Sequence, residues 1–91
     1  MTIDISKVSK EKTDRVVVKH VKNNITGNVL VLFKNGGLYI AYDEDAKTIA
    51  EQCCLCSYKS KDGEMLKFTI DLEHHVFVLM AKAGYKLCVI E

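Results

Sequence analysis

Several features that are common in proteins are missing from this 91-residue sequence, and each absence excludes something. Proline is absent, so the loops must rely on glycine, asparagine and aspartate. No apolar run approaches about 18 residues, which excludes a membrane-spanning helix. The formal net charge is only +1, from 13 basic and 12 acidic residues, which excludes a strongly cationic nucleic-acid binder. No phosphate-binding loop is present, so the chain by itself is not an ATPase.

Residues 1–12 also lack the apolar core of a secretory signal, so none is expected. The four cysteines, Cys53, Cys54, Cys56 and Cys88, are therefore predicted to be free thiols in the reducing cytoplasm. Cys53 and Cys56 form a Cys-x-x-Cys motif, but structural zinc needs a second pair of ligands, and only Cys88 lies outside the cluster. Because Cys53 and Cys54 also fall on the apolar stripe of a predicted helix, we interpret them as core thiols.

The remaining reactive residues form no recognisable catalytic group. His74 and His75 are adjacent, so on a helix they point in different directions rather than towards one metal ion. The serines have no evident base to activate them. We therefore predict a protein that is not an enzyme and that needs no cofactor or metal ion. A small metal or thiol protein built on Cys53, Cys56 and Cys88 is a separate hypothesis.

Length and composition fit one small domain over residues 1–91, with 48% apolar and 27% charged residues. The charge is unevenly distributed, because residues 1–42 hold seven basic and three acidic residues, whereas residues 43–91 hold six and nine. A basic half of this kind can contact phosphate groups. Lysines on a solvated helix give the same pattern, so the charge alone does not decide between a binding surface and an ordinary one.

A hairpin is the clearest structural prediction. Residues 28–33 are a mostly apolar run, which is typical of a strand buried on both faces. The run ends at residues 34–37, where Gly36 and Gly37 offer the positive φ that a tight turn needs. Residues 38–42 return as the partner strand.

The rest of the chain predicts helices and strands in alternation. Residues 9–24 are compatible with a helix or a strand, because residues that cap helices and a β-branched run that favours strands both occur there. Residues 1–8 predict a tail or a short edge strand. A helix is predicted from Asp43, with an apolar stripe formed by Ala46, Ile49, Ala50, Cys53 and Cys54. Strands are predicted over 55–60 and 65–70 around Asp62-Gly63, with Leu66, Phe68 and Ile70 on one buried face. A helix from Asp71 to Ala83 and a strand over 85–90 complete the chain. The order α-β-β-α-β-β-α-β predicts a small mixed β-sheet with helices packed on it, an α/β (α+β-like) domain.

Two segments of the sequence are similar to one known domain. Residues 28–56, which begin NVLVLFKNGGLYIAYDEDAKTIAEQC, and residues 83–91, AGYKLCVIE, resemble the mismatch-recognition domain at the N-terminus of the MutS family of bacterial DNA mismatch-repair proteins. The similarity covers most of the chain after about Thr26, with residues 61–64 at the tip of the family's variable hairpin. In the first segment it rests on the spacing of Phe33, Gly36, Tyr39, Tyr42, Asp43, Asp45, Ala46 and Lys47, with one extra residue allowed before Ala46.

The resemblance implies a small α/β domain whose mixed sheet enters the minor groove of double-stranded DNA. In that family a Phe-x-Glu motif wedges a phenylalanine beside the mispaired base, and the glutamate hydrogen-bonds to that base. Here Leu38 occupies the phenylalanine position and Ile40 the glutamate position. Leucine can wedge between base steps, whereas an isoleucine side chain forms no hydrogen bond.

We therefore predict that the chain binds double-stranded DNA, mismatched or matched, without the usual reading motif. The candidate contact residues are Lys34 for phosphate, Gly36 and Gly37 for close approach, Leu38 and Tyr39 facing the groove, and Ile40 beside them. The alternative hypothesis is a protein-interaction or regulatory domain that kept the fold and lost DNA reading. Its partner would be another protein or a second copy of the chain.

Overall fold

The structure, a computed structural model, describes residues 10–91 of the chain. The prediction for residues 1–8 lies outside the described residues. In chain order the elements are α1 (Lys10–Asn24), β1 (Val29–Asn35), β2 (Leu38–Tyr42), α2 (Asp43–Cys53), β3 (Tyr58–Ser60), β4 (Gly63–Thr69), a one-turn 3₁₀ helix (Ile70–Leu72), α3 (Glu73–Lys82) and β5 (Lys86–Ile90). This order confirms the predicted alternation of helices and strands and the mixed α/β class.

The strands form one mixed sheet in the order β3-β4-β2-β1-β5. β1 and β2 are the two antiparallel strands of the predicted hairpin, with Asn35 opposite Leu38. β5 lies parallel to β1, so that Val31 pairs with Cys88. β4 pairs with the other side of β2, and β3 forms the far edge by antiparallel pairing with β4. The turn of the β1–β2 hairpin therefore lies at one end of two inner strands.

Helices cover both faces of the sheet, which explains why the apolar run of β1 is buried along its length. α1 packs on one face through Val17, which lies against the cluster that contains Val31. α2 and α3 pack on the opposite face through Ile49 and Met80, against the cluster that contains Leu32. Burying a side chain of this size contributes about 1.5–3 kcal/mol, so the inner strands are held firmly from both sides.

α1 resolves the choice that the sequence left open at residues 9–24. The β-branched run favours a strand locally, but a helix places Val17 and Val21 together on the sheet while Val16 stays exposed. The helix also brings the buried Asp14 carboxylate to the Tyr42 hydroxyl, which donates a hydrogen bond to it at 2.6 Å. Packing of one helical face thus outweighs the strand preference of the individual residues.

Three predictions around the second hairpin need correction. Its turn lies at Lys61-Asp62, Gly63 already belongs to β4, and β3 begins at Tyr58 and not at residue 55. Ile70 is not on a buried face, because β4 ends at Thr69 and the chain turns into the 3₁₀ helix. α3 begins at Glu73 and not at Asp71, since that 3₁₀ turn precedes it, and no side chain caps its N-terminus.

Candidate nucleic-acid interface

The turn between β1 and β2 is the most open part of the hairpin, and we call residues 34–38 the hairpin tip. Gly36 has φ +63°, a left-handed conformation that glycine adopts without a steric penalty. No heavy atom beyond the adjoining residues lies within 4 Å of the position that a β-carbon would take at Gly36 or Gly37. The tip therefore projects from the sheet with free space on its backbone, as the sequence predicted for a close-approach turn.

Only the first side chain of β2 lies at the surface, and the four that follow it are buried. Leu38 is 39% exposed, whereas Tyr39 is 1% and Ile40 is 7% exposed. The prediction that Tyr39 faces a groove is therefore wrong for this conformation, because β2 is an inner strand with helices over both of its faces. Of the residues after the turn that were proposed to contact DNA, only Leu38 lies at the surface.

Tyr39 supports the tip from beneath. Its hydroxyl donates a hydrogen bond to Glu73 Oε1 at 2.7 Å, which ties β2 to the first turn of α3. Its ring stacks on Phe68 at 5.3 Å between centroids and meets the edge of Phe77 at 5.7 Å. The hydrogen bond to Glu73, together with burial, raises the pKa of the Tyr39 hydroxyl to about 12. The residue is thus a neutral structural anchor below the tip.

Lys34 is the only cationic residue of the hairpin tip, and it already has two neighbours. Its Nζ lies 3.7 Å from Glu91 Oε1, in an exposed ion pair. The same Nζ lies 5.9 Å from the centroid of the Tyr39 ring. An exposed pair of this kind contributes at most about 1 kcal/mol, so a phosphate group can compete for the lysine.

Ile70 is a surface residue of this site that the sequence analysis missed. Its backbone N–H donates to the carbonyl of Gly37 at 3.0 Å, one step beyond the paired residues Leu38 and Thr69. The side chain is 44% exposed. Asp71 could have indicated this exposure, because aspartate disfavours strands and ends the alternation of apolar and polar residues along β4.

A buried carboxylate joins α2 to the other half of β1. The pairing of β1 with β2 runs over the three pairs nearest the turn, and Val31 N–H donates to Asp45 Oδ2 at 3.0 Å. The other oxygen of Asp45 accepts a hydrogen bond from the Lys22 ammonium of α1. Asp45 lies in the first turn of the helix that was predicted from Asp43, and its carboxylate links that helix to both neighbouring elements.

Arg15 joins α1 to the start of α2 and to β4. Its guanidinium donates to Glu11 at 2.5 Å, to Asp43 at 3.0 Å and to the backbone carbonyl of Glu64 at 3.1 Å. Its central carbon also lies 5.0 Å from the centroid of the Tyr42 ring. These contacts use most of the donors of the guanidinium, so Arg15 is a structural residue and not a free cation for phosphate.

Two backbone positions near Arg15 are strained or crowded. Asp43 has φ +52°, which is uncommon for a residue other than glycine. Gly63 has φ +142°, a conformation that side chains rarely adopt, and a β-carbon there would lie 2.5 Å from Asp43 Oδ1 and 3.0 Å from an Arg15 nitrogen, so it would displace these two side chains. Hydrogen bonds from the Ser60 hydroxyl and from Arg15 lower the pKa of the Glu11 carboxyl.

The cysteine cluster divides between the core and the surface. Cys53 is buried, and its burial raises the pKa of its thiol. Cys54 is exposed at the C-terminal cap of α2 with φ +57°, so its predicted place on the buried stripe is wrong, because the helix ends there. Cys56 is exposed as well, and all four cysteines are free. Within residues 10–91 no three histidine, cysteine or acidic side chains are arranged to hold a metal ion.

Comparison with known proteins adds no family to this picture. No protein-family model matches the chain, and no curated protein matches it either. Among the described helices, none is long and apolar enough to cross a membrane. The geometry of the hairpin tip and the sequence motifs around it are therefore the basis for the proposal below.

Proposed function

We propose that the chain is a non-catalytic, cytoplasmic module that contacts double-stranded DNA through the hairpin tip. The observation that supports this proposal is the exposure of Leu38 at the end of an inner hairpin, directly after two glycines whose surroundings are open. The four free cysteines agree with a reducing compartment. The resemblance of residues 28–56 to a domain that enters the minor groove supplies the class of ligand.

The tip has the parts that a minor-groove contact requires. An apolar side chain inserted between base steps partly unstacks them and kinks the duplex. Leu38 is such a side chain, and the absence of side chains at Gly36 and Gly37 lets the backbone approach the groove closely. Lys34 is near enough to the tip to meet a phosphate group once it leaves Glu91.

The same geometry limits what the tip can read. Ile40 is buried and carries no hydrogen-bonding group, so the position that resembles the family's glutamate cannot recognise a base edge. Leu38 also lacks a polar atom. Any preference must therefore come from how easily a base step is unstacked, and unstacking costs least at a mismatch.

Binding to labelled duplexes tests this proposal. We would measure the fluorescence anisotropy of a duplex with one G·T mispair and of its matched twin, at two salt concentrations. We expect salt-dependent binding to both, with a preference of about 1 kcal/mol for the mispair. Leu38→Ala should remove that preference. Val16→Ala is the matched control, because Val16 is an exposed apolar residue on α1 and not part of the hairpin tip. Failure to bind either duplex at low salt would overturn the proposal.

The Lys34–Glu91 pair provides a second test of the same site. Glu91→Gln removes the carboxylate that holds Lys34, so the variant should bind both duplexes more tightly. Lys34→Ala should bind more weakly and lower the slope of log K against log salt by about one unit, the loss of one phosphate contact. Equal affinities for these two variants would exclude Lys34 from the interface.

A protein-interaction module is the second candidate. The observation in its favour is that Leu38 and Ile70 are exposed apolar residues at one end of the sheet, while the only cation of the tip is already paired. Light scattering coupled to size-exclusion chromatography would detect a dimer formed through this end, and Leu38→Ala should dissociate it. Absence of DNA binding together with such a dimer would favour this candidate.

A further inference from the structure

The two edge strands of the sheet differ in how well they are protected against pairing with another strand. β3, at one edge, is only three residues long and has Lys59 at its centre. β5, at the other edge, is five residues long, and its three central residues are apolar (Leu87, Cys88 and Val89). Short edge strands and charged side chains are common means of blocking such pairing, and the centre of β5 has neither. The unprotected edge is therefore that of β5.

The backbone groups of β5 alternate between β1 and the outer side of the sheet. The N–H of Lys86 donates to the carbonyl of Asn28 at 2.7 Å, on the side of β1. Because backbone groups of successive residues in a strand point to opposite sides, Leu87 and Val89 direct their N–H and C=O groups outwards. We call these two residues the open edge, since within residues 10–91 no strand lies beside β5 on that side. Unpaired backbone groups in such a row are a template for a further β-strand.

We infer that the open edge binds the same edge of a second copy of the chain, so that the two β5 strands pair antiparallel about a two-fold axis. With Cys88 at the axis, all five residues of each strand are paired. Leu87 of each copy then exchanges backbone hydrogen bonds with Val89 of the other. Opposite residues share a face of the sheet, so the Val89 side chain, which is 38% exposed, contacts Leu87 of the second copy.

The charges at the ends of β5 favour a second copy in this orientation. Lys86 begins the strand and Glu91 follows it, and both side chains are exposed. Antiparallel pairing brings the lysine end of one strand to the glutamate end of the other, whereas parallel pairing would bring like charges together. Glu91 also lies 3.7 Å from Lys34, but its side chain is 76% exposed and remains accessible to a second cation.

This dimer differs from one formed through the hairpin tip, and it does not depend on DNA binding. β5 is parallel to β1, whose end leads into the tip. An antiparallel pair of β5 strands therefore places the two tips at opposite ends of one continuous sheet, with both tips free. Two tips placed in this way cannot contact each other.

Amide hydrogen exchange, followed by NMR at increasing concentrations of the full chain, tests the inference. Only the unpaired chain exposes the N–H groups of the open edge to solvent. Their exchange should therefore slow about tenfold when about nine tenths of the chain is dimeric, whereas exchange in β3 should not change. Exchange at Leu87 and Val89 that is independent of concentration would overturn the inference.

Oxidation of thiols tests the register of the two strands. Cys88 at the axis is a non-hydrogen-bonded pair, whose α-carbons lie about 4.5 Å apart, within the range that a disulfide spans. In a variant with Cys54→Ser and Cys56→Ser, the other remaining thiol, Cys53, is buried. Diamide, which accepts the two hydrogens of a thiol pair, should join this variant into a covalent dimer, and adding Cys88→Ser should prevent it. A variant that stays monomeric under diamide would overturn the proposed register.

A proline substitution separates edge pairing from folding. Val89→Pro removes an N–H that points outwards, so the pairing with β1 is kept, and the variant should be monomeric by light scattering. Val89→Thr is the matched control, because it keeps the N–H and the branched side chain and should remain dimeric. A dimer that survives Val89→Pro but dissociates on Leu38→Ala would overturn the inference in favour of contact through the hairpin tip. If Val89→Pro does not fold, the exchange of the unmodified chain decides.

Discussion

Replacement of Asp45 by alanine should destabilise the domain strongly although the residue lies away from the hairpin tip. Its carboxylate is almost fully buried and accepts hydrogen bonds from Val31 N–H and from the Lys22 ammonium. Alanine leaves the Val31 N–H without a partner, and Val31 is completely buried. Three elements, α1, β1 and α2, lose their shared contact at once.

The size of the effect follows from these two partners. An unsatisfied buried N–H costs about 1–3 kcal/mol. Breaking a buried ion pair costs about 3–5 kcal/mol, but the side chain of Lys22 is 36% exposed and can reach water, so only part of that cost applies. We expect a loss of about 3 kcal/mol from a free energy of unfolding of roughly 5–14 kcal/mol for a domain of this size.

Urea denaturation followed by circular dichroism measures this loss. With a slope near 1 kcal/mol per molar urea, 3 kcal/mol lowers the midpoint by about 3 M. The melting temperature should fall by about 12–24 °C. Asp45→Asn keeps an oxygen acceptor for Val31 and should cost less than Asp45→Ala. Glu44→Ala is the matched control, because Glu44 is an exposed acid in the same helical turn and should change stability by less than about 0.5 kcal/mol.

Two outcomes would refute this reasoning. If Asp45→Ala costs less than about 1 kcal/mol, the N–H of Val31 finds another partner and the carboxylate does not hold the three elements together. If Asp45→Asn is as costly as Asp45→Ala, the charge and not the hydrogen bond to β1 stabilises the site. The first result would move the structural role from Asp45 to the apolar packing around it, and the second would move it from the contact with β1 to the ion pair with Lys22.

Two further predictions concern the contacts around Arg15. Gly63→Ala should lower the free energy of unfolding, measured by urea denaturation, by about 2 kcal/mol, because φ +142° is strained for alanine and the new β-carbon meets Asp43. Gly36→Ala should lower it by less, because the space around Gly36 is open. Equal losses in the two variants would contradict the role of crowding at Gly63. The lowered pKa of Glu11 contributes stability that is present above its ordinary pKa near 4.5 and is lost as the pH falls through the lower folded value. Glu11→Gln should therefore lose less stability than the unmodified chain as the pH is lowered, in an acid titration followed by circular dichroism. An unchanged pH dependence would contradict this assignment.

The sequence predicted most of the fold because its patterns were local. The apolar run before Gly36, the glycine pair and the helix after Tyr42 each carry their signal within a few residues. α1 could not be decided in this way, since its helix depends on Val17 and Val21 packing against strands far along the chain. The end of β4 had the same difficulty, because the chain turns at Ile70 after its last pairing with Gly37.

The candidate site was predictable only in part. The turn itself follows from the glycines, and Leu38 is exposed because it directly follows them, at the start of a strand whose other four residues are buried. The hydrogen bond from the Tyr39 hydroxyl to Glu73 of α3 joins distant segments of the chain, so it has no local signal in the sequence. The contact of Asp45 with Val31 could not be predicted either, because no local pattern indicates that a strand N–H donates to a side chain of the next helix.

The positions that resemble the mismatch-recognition domain divide by burial. Phe33, Tyr39, Tyr42, Asp45 and Ala46 are all buried and make the contacts that hold the sheet to its helices. Their agreement with the family pattern is thus evidence about how the chain folds, and it says little about what the surface binds. The difference at the phenylalanine position falls on a side chain that the fold leaves exposed. Substitutions at the hairpin tip can therefore change the ligand without changing the fold, which is why binding measurements on tip variants decide the function.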